Sequence, residues 1–151
     1  MLINPELAKA INAQIGNEFG ASMQYLSIAG HFHTQKLTLL AKLFFEQAEE
    51  EKTHAMKFAH YVLDTQGDLQ IPAIAAPKPK FASAEEAVKA ALAWEMEVTE
   101  QIKALMDMAV SQNDYLAQNF LQWFIDEQLE EINKMDQLLS VIQRAGEKNL
   151  L

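Results

Sequence analysis

A glutamate and a histidine interrupt an apolar helical face in the stretch FFEQAEEEKTHAMKFAH, which covers residues 44–60. Alternating steps of three and four residues place one seam of a helix at Phe44, Gln47, Glu51, His54 and Phe58. Glu51 and His54 are three residues apart, so their side chains are neighbours on that seam. Carboxylate and imidazole groups are ligands for transition-metal ions. The pair predicts a metal site, although a histidine alone would fit a hydrogen-bonded core position.

The same periodicity places acidic residues inside three further apolar stripes. Glu18 interrupts the first stripe, Glu95 the third, and Gln128 with Glu131 the fourth. Each lies near the middle of its stripe, so a helical bundle would bring these groups to one level. Buried carboxylates are costly unless they are protonated or bound to a cation. An oxygen-rich set with one imidazole and no sulfur favours iron or manganese over structural zinc, with Glu51 placed to bridge two ions.

Four long helices are predicted to position these groups. Asn4 is a predicted N-cap with proline after it, and Ser83 with Glu86 forms a predicted capping box. Gly67 is expected to close the second helix, as glycine often does after a helix end. The predicted helices cover residues 5–33, 38–65, 84–112 and 115–145.

The lengths of the connections predict the topology. Helices of roughly 28 residues are roughly 42 Å long, and a non-helical link of roughly 16 residues after the second helix can stretch over about 50 Å. This link can run the length of the bundle, whereas the other two turns are short. We therefore expect one all-α domain over residues 1–151, a four-helix bundle with one long crossover between the second and third helices.

Composition excludes several classes of function. The net charge of −9 argues against a nucleic-acid partner, because such proteins carry a basic surface. There are no cysteines, so disulfides, thiolate zinc sites and iron–sulfur clusters are excluded. The sequence has no apolar run of transmembrane length and no signal-peptide pattern at its start, so a cytoplasmic protein without a membrane partner is expected.

Four segments resemble bacterial non-haem ferritins, and together they reach all four predicted helices: NEFGASMQYL, EQAEEEKTHAMKF, LAWEMEVTEQI and NFLQWFIDEQLEE. The resemblance implies a ferritin-like bundle with a ferroxidase centre, in which Glu18, Glu51 and His54 hold a first iron. Glu51 would bridge to a second iron that Glu95 also holds. The resemblance further implies the following positions: Gln128 and Glu131 beside the second iron, and Tyr25 next to the centre with a part in electron transfer.

A third, weaker iron site is also implied for Glu50, Glu127 and Glu130, although a solvated run of charges explains these residues equally simply.

Three departures from related patterns matter. The fourth helix has Gln128-x-x-Glu131 in place of a second Glu-x-x-His, which predicts a weaker second site. Lys52 stands where bacterioferritins carry a haem-binding methionine, which predicts no haem.

The third departure is the ending RAGEKNLL, which leaves no room for the short fifth helix of cage-forming ferritins. We therefore expect a homo-oligomer that is at least a dimer, with a 24-subunit cage leaky, unstable or absent. The predicted function is oxidation of Fe(II) to Fe(III) by dioxygen or hydrogen peroxide, for iron storage or detoxification.

Three other readings stay open. A dimeric di-iron protein could consume peroxide or oxygen without storing mineral, although a rubrerythrin-like peroxidase would want a cysteine-rich module. The second alternative is a relative of the small DNA-protecting ferritins. Those proteins place their ligands across a dimer interface and often have basic tails, whereas this chain has its predicted ligands within one bundle and is acidic. A metal-free helical scaffold would keep its inward acids protonated or hydrogen-bonded.

Overall fold

The computed structural model of the chain describes residues 2–150. Its elements are α1 (Pro5–Thr34), α2 (Thr38–Asp64), α3 (Ala84–Ser111), α4 (Tyr115–Ala145) and a 3-10 turn (Glu147–Asn149). No β-strand and no fifth α-helix occur among these residues, and no helix in this part of the chain could cross a membrane. The predicted four-helix, all-α fold is confirmed, and every predicted helix end lies within one residue of the observed one.

Local sequence explains where α1 and α3 begin. The side chain of Asn4 accepts a hydrogen bond of 2.8 Å from the Glu6 amide at the start of α1, as expected of an N-cap. The Ser83 hydroxyl accepts a bond of 3.0 Å from the Glu86 amide at the start of α3. The carboxylate of Glu86 accepts from the amide of Ala82, whereas a capping box requires the amide of Ser83 itself. The predicted box is therefore only half formed.

Each of the first three helices is followed, two residues after its last residue, by a non-glycine residue in the left-handed region. These residues are Lys36 (φ 64°), Gln66 (φ 64°) and Asn113 (φ 51°). After α2, the amide of Gly67 donates to the carbonyl of Val62 at 2.7 Å, which completes a Schellman motif. Gly67 therefore closes α2 through its amide, whereas the left-handed residue is Gln66 before it.

Polar side chains at two levels of α1 attach the crossover, residues 65–83, to the bundle, and Ser27 joins Gln24 at the second level by donating to the Lys78 carbonyl at 2.7 Å. The side chain of Asn12 donates to the Asp68 carbonyl (2.8 Å) and accepts from the Gln70 amide (3.2 Å). Further along α1, Gln24 donates to the carbonyl of Lys78 (3.4 Å) and accepts from its amide (3.0 Å). The crossover therefore runs in the direction of α1 and antiparallel to α2, which makes α2 and α3 parallel as predicted.

Gly16 allows the crossover to approach α1 between these two attachments. A Cβ atom at Gly16 would lie 2.5 Å from Cγ of Pro72, well inside van der Waals contact. No residue larger than glycine fits there without a shift of the crossover, so the close packing of this segment depends on the missing side chain.

The apolar core consists of two clusters separated by a polar layer. One cluster includes Ile15 on α1 and Val98 on α3, and the other includes Ala21 on α1 and Ala91 on α3. The same break occurs between residues 48 and 55 of α2 and between residues 124 and 135 of α4. The inward polar residues predicted from the sequence occupy this gap on every helix, so the fold holds them at one level.

Candidate metal centre

The polar layer contains all six predicted ligand residues, and each is buried. Their exposed fractions are Glu18 0%, Glu51 0%, His54 3%, Glu95 0%, Gln128 2% and Glu131 2%. Tyr25, also fully buried, lies beside them on α1. Four helices therefore contribute to one water-poor site, which agrees with the stripes read from the sequence.

Glu18, Glu51 and His54 form a first cluster, which offers three ligand atoms within 4.8 Å of one another. His54 Nδ1 lies 3.3 Å from Glu51 Oε2 and 4.0 Å from Glu18 Oε2. These three atoms, and Oε1 of Glu51, have no hydrogen-bond partner in the described structure. Buried polar atoms are normally paired, so converging orphans of this kind fit a bound cation.

Neighbouring side chains fix the first cluster in place. The amide nitrogen of Gln14 donates to Glu18 Oε1 at 3.2 Å. The imidazole of His54 meets the rings of Trp123 and Phe124 edge-on, at centroid distances of 5.4 and 5.9 Å. These contacts restrict the imidazole, so its Nδ1 atom stays directed at the two carboxylates.

Glu51, Glu95 and Glu131 form a second cluster of three ligand atoms within 4.8 Å. Glu51 belongs to both clusters, and its two oxygens have no hydrogen-bond partner in the described residues. A carboxylate can use its two oxygens for two different ions. The structure thus places Glu51 where the sequence predicted a bridge.

Glu95 is held by two neighbours in the polar layer. The hydroxyl of Tyr25 donates to Glu95 Oε1. The amide nitrogen of Gln128 donates to Glu95 Oε2 at 3.0 Å, to the Glu95 carbonyl at 3.2 Å and to the Thr99 hydroxyl at 3.1 Å. Gln128 was predicted beside the second ion, and here its amide group orients a carboxylate of the second cluster.

Glu131 is held by two residues that the sequence analysis did not assign to the site. The amide nitrogen of Gln47 donates to Glu131 Oε2. The ammonium of Lys134 lies 3.5 Å from Glu131 Oε1 and 2.9 Å from Gln47 Oε1. Gln47 is on the predicted α2 seam, and Lys134 is three residues after Glu131, so both spacings could have indicated them.

Burial and mutual repulsion shift the protonation of the layer. Burial raises the pKa of Glu18 well above its usual range, and the charge of Glu51 adds to this rise. Burial likewise raises the pKa of Glu51, with Glu95 adding repulsion. The pKa of Glu131 rises to about 7, mainly through burial, although Lys134 opposes the rise. A divalent cation would remove this penalty by neutralising the charges.

Tyr25 shows the same electrostatic effect. Burial raises the pKa of its phenol well above the usual 10.0, and the neighbouring charge of Glu95 raises it further. The phenol therefore keeps its proton at neutral pH, and it remains a hydrogen-bond donor to Glu95.

The three residues of the predicted third iron site are not gathered into one cluster in the described structure. Glu127 Oε2 lies 3.7 Å from His54 Nε2. Glu50 Oε2 instead lies 3.5 Å from the Lys134 ammonium, and Glu130 is exposed. Lys52 is exposed as well, and the absence of haem stays a prediction.

Comparisons with known proteins indicate one family. A family model described as "Ferritin-like domain" matches residues 8–145. The chain is 42% identical over 136 residues to ferritin BfrB of Mycolicibacterium smegmatis, which covers 90% of this chain and 75% of that protein. It is 32% identical over 146 residues to a bacterial non-heme ferritin of Staphylococcus aureus, which covers 97% and 88%.

A solved structure shows the same architecture. The open pore ferritin of the archaeon Archaeoglobus fulgidus superposes with a TM-score of 0.94 at 30% identity, covering 96% of this chain and 90% of that one. The family match extends through all four helices that carry the polar layer. The chain belongs to the ferritin-like domain family.

Proposed function

We propose that this protein is a ferroxidase, which binds two Fe(II) ions at adjacent positions in the polar layer and oxidises them to Fe(III). The observation that carries the proposal is that Glu51 belongs to two ligand clusters at once. Two ions that share one carboxylate are held close enough to deliver two electrons to one oxidant molecule.

The chemistry follows from the donors that the bundle supplies. Glu18, Glu51 and His54 would bind one ferrous ion, and Glu51, Glu95 and Glu131 the other. Hard carboxylate oxygens favour the higher charge of Fe(III), which makes oxidation easier. Each iron gives up one electron, and dioxygen with two protons becomes hydrogen peroxide, or hydrogen peroxide with two protons becomes water.

Tyr25 would assist the second position. Its hydroxyl donates to Glu95, which holds that carboxylate in register with the rest of the cluster. The role in electron transfer that the family resemblance implies is part of this proposal, since the phenol is buried within hydrogen-bond distance of a ligand.

The biological role we propose is iron storage or detoxification in the cytoplasm. Relatives of this chain are named ferritins, and the solved neighbour is described as an open pore ferritin. We expect a homo-oligomer that is at least a dimer. Light scattering before and after iron loading separates a storing cage from a dimer that only consumes oxygen or peroxide.

Ferric absorbance in the near ultraviolet, recorded after Fe(II) is added in air, tests the proposed centre. A variant with Glu51→Ala and His54→Ala should lose most of the initial rate. The matched control is Glu97→Ala with His60→Ala, which makes the same substitutions at exposed positions of α3 and α2 and should keep the rate. Circular dichroism verifies that both variants are folded. A parent-like rate in the first variant would rule out this centre.

A further inference from the structure

The ammonium of Lys134 lies at the edge of the second cluster. It is 3.5 Å from Glu131 Oε1, 2.9 Å from Gln47 Oε1 and 3.5 Å from Glu50 Oε2. Within residues 2–150, no other lysine or arginine nitrogen lies within 4.0 Å of a carboxylate of either cluster. One fixed positive charge therefore contacts one of the two proposed metal positions.

This contact makes the two clusters unequal. In the first cluster, Glu18 Oε2 and His54 Nδ1 have no hydrogen-bond partner in the described structure. In the second, Glu131 accepts from Gln47 and faces Lys134, so its oxygens are already engaged. A cation entering the first cluster meets free lone pairs, whereas a cation entering the second must replace existing contacts.

We propose that Lys134 is a positioning residue: its ammonium stays paired with the carboxylate of Glu131 until a second metal ion displaces it. This inference rests on the proposed function, because it concerns the second of the two ferroxidase positions. An ion bound to Glu131 Oε1 would be only a few ångströms from the ammonium, and two cations so close repel each other. The ammonium must therefore move away as the ion binds.

Glu50 provides a place for the displaced ammonium. Its carboxylate already lies 3.5 Å from Nζ of Lys134, and both side chains are partly exposed, at 39% for Lys134 and 47% for Glu50. A small rotation of the flexible lysine chain toward solvent would keep this ion pair and release Glu131. The ammonium of Lys134 can thus compete with the second metal ion for Glu131 and, when displaced, stay paired with Glu50 at the surface.

The consequence is ordered and unequal metal binding. The first position fills at low metal concentration, and the second fills only when the metal competes successfully with Lys134. An ion that competes with Lys134 for Glu131 also dissociates more easily. The Fe(III) formed at the second position is therefore released rather than retained.

Titration calorimetry with Zn²⁺ on chelator-treated protein tests this inference, since zinc binds carboxylate and imidazole ligands without redox chemistry. The parent should bind two ions with separate constants. Lys134→Met should tighten the weaker constant by about tenfold or more, the scale on which a neighbouring charge alters a carboxylate's affinity for a proton. The tighter constant should change less than twofold.

Two further variants separate positioning from structural effects. Lys134→Arg keeps the positive charge and should keep the parental difference between the two constants. Lys103→Met removes a lysine that is likewise three residues after its glutamate, Glu100, at 3.2 Å, with both side chains exposed on α3. This control removes one positive charge, as Lys134→Met does, and should leave both constants unchanged. Lys134→Gln provides a second neutral variant if the methionine variant does not fold.

The outcomes discriminate between the two proposals. If neutral substitution at Lys134 leaves the weaker constant within twofold of the parent, or tightens both constants equally, the inference about Lys134 is overturned. If the parent binds two zinc ions but does not oxidise Fe(II), the proposed ferroxidase activity fails and the competition at Lys134 stands. If the parent binds fewer than two ions per chain, both are overturned.

Discussion

Replacing Glu131 by glutamine should stabilise the metal-free protein at pH 8 and leave its stability at pH 4 unchanged. The carboxyl group is 2% exposed, and burial raises its pKa from 4.5 to about 7. The native state therefore binds this proton more tightly than the unfolded chain does. The contribution of Glu131 to the free energy of unfolding therefore falls as the pH rises from about 4.5 to about 7, and the loss is complete above that range.

The size of the effect follows from the same values. One pKa unit corresponds to about 1.4 kcal/mol, so the ionised Glu131 side chain destabilises the native state by about 3 kcal/mol above pH 7. Glutamine has a similar shape, and its oxygen can still accept the hydrogen bond from Gln47. The variant should therefore gain up to about 3 kcal/mol at pH 8, where the parent carries the charge.

Urea unfolding of chelator-treated protein at both pH values measures the difference. Both proteins must be compared at one concentration, because assembly also stabilises the native state. Glu130→Gln is the control, since it makes the same change at the adjacent, exposed residue of α4. Exposed substitutions of this kind alter stability by no more than about 0.5 kcal/mol.

Two results would refute the reasoning. One is an equal gain at pH 4 and pH 8, since the charge would then not be the cause. The other is a parent stability that does not decrease between pH 4.5 and pH 7 relative to the variant. Addition of Zn²⁺ at pH 8 should make the parent more stable than the variant. The ion neutralises the charge of Glu131 in the parent, whereas in the variant this ligand is missing.

Three further substitutions have defined expectations, each measured by urea unfolding. Gly16→Ala should destabilise by about 1–3 kcal/mol, because its Cβ would lie 2.5 Å from Cγ of Pro72; the control Gly30→Ala, with nothing within 4 Å, should gain up to about 1 kcal/mol, and equal effects would contradict the close approach. Gln66→Gly should gain about 1 kcal/mol, because φ is 64° there and glycine has no penalty in that region. Tyr25→Phe should lose about 1–3 kcal/mol in the metal-free protein, because a buried carboxylate on α3 loses its donor; no loss would mean that this bond contributes nothing.

The positions of the helices could be predicted from sequence because their determinants are local. Asn4 with the proline after it, and Ser83 before α3, cap their helices through groups only a few residues away. The capping box was predicted less accurately, since Glu86 accepts from the Ala82 amide rather than from that of Ser83, and the left-handed conformation of Gln66 was not indicated by its residue type. Backbone geometry at a helix end depends on packing beyond the turn as well as on residue type.

The inward position of the proposed ligand residues was also predictable, because a helical face follows from spacing alone. Glu51 and His54 on one seam, and a single inward acid such as Glu18 or Glu95, are visible as breaks in an apolar period. Burial in the structure agrees with that pattern. What spacing determines is the face of a helix, and the face is sufficient to predict which side chains point inward.

The contacts between those side chains were decided only by the tertiary structure. That Gln128 donates to Glu95, and that Lys134 reaches Glu131 and Gln47, depends on the register of α4 against α3 and α2. Register is set by the packing of two complete apolar clusters, and a long lysine side chain can reach several partners from one Cα position. Sequence alone therefore identified the inward acids of the polar layer, whereas three-dimensional packing determined which of them have unpaired oxygens and which are already held by neighbouring side chains.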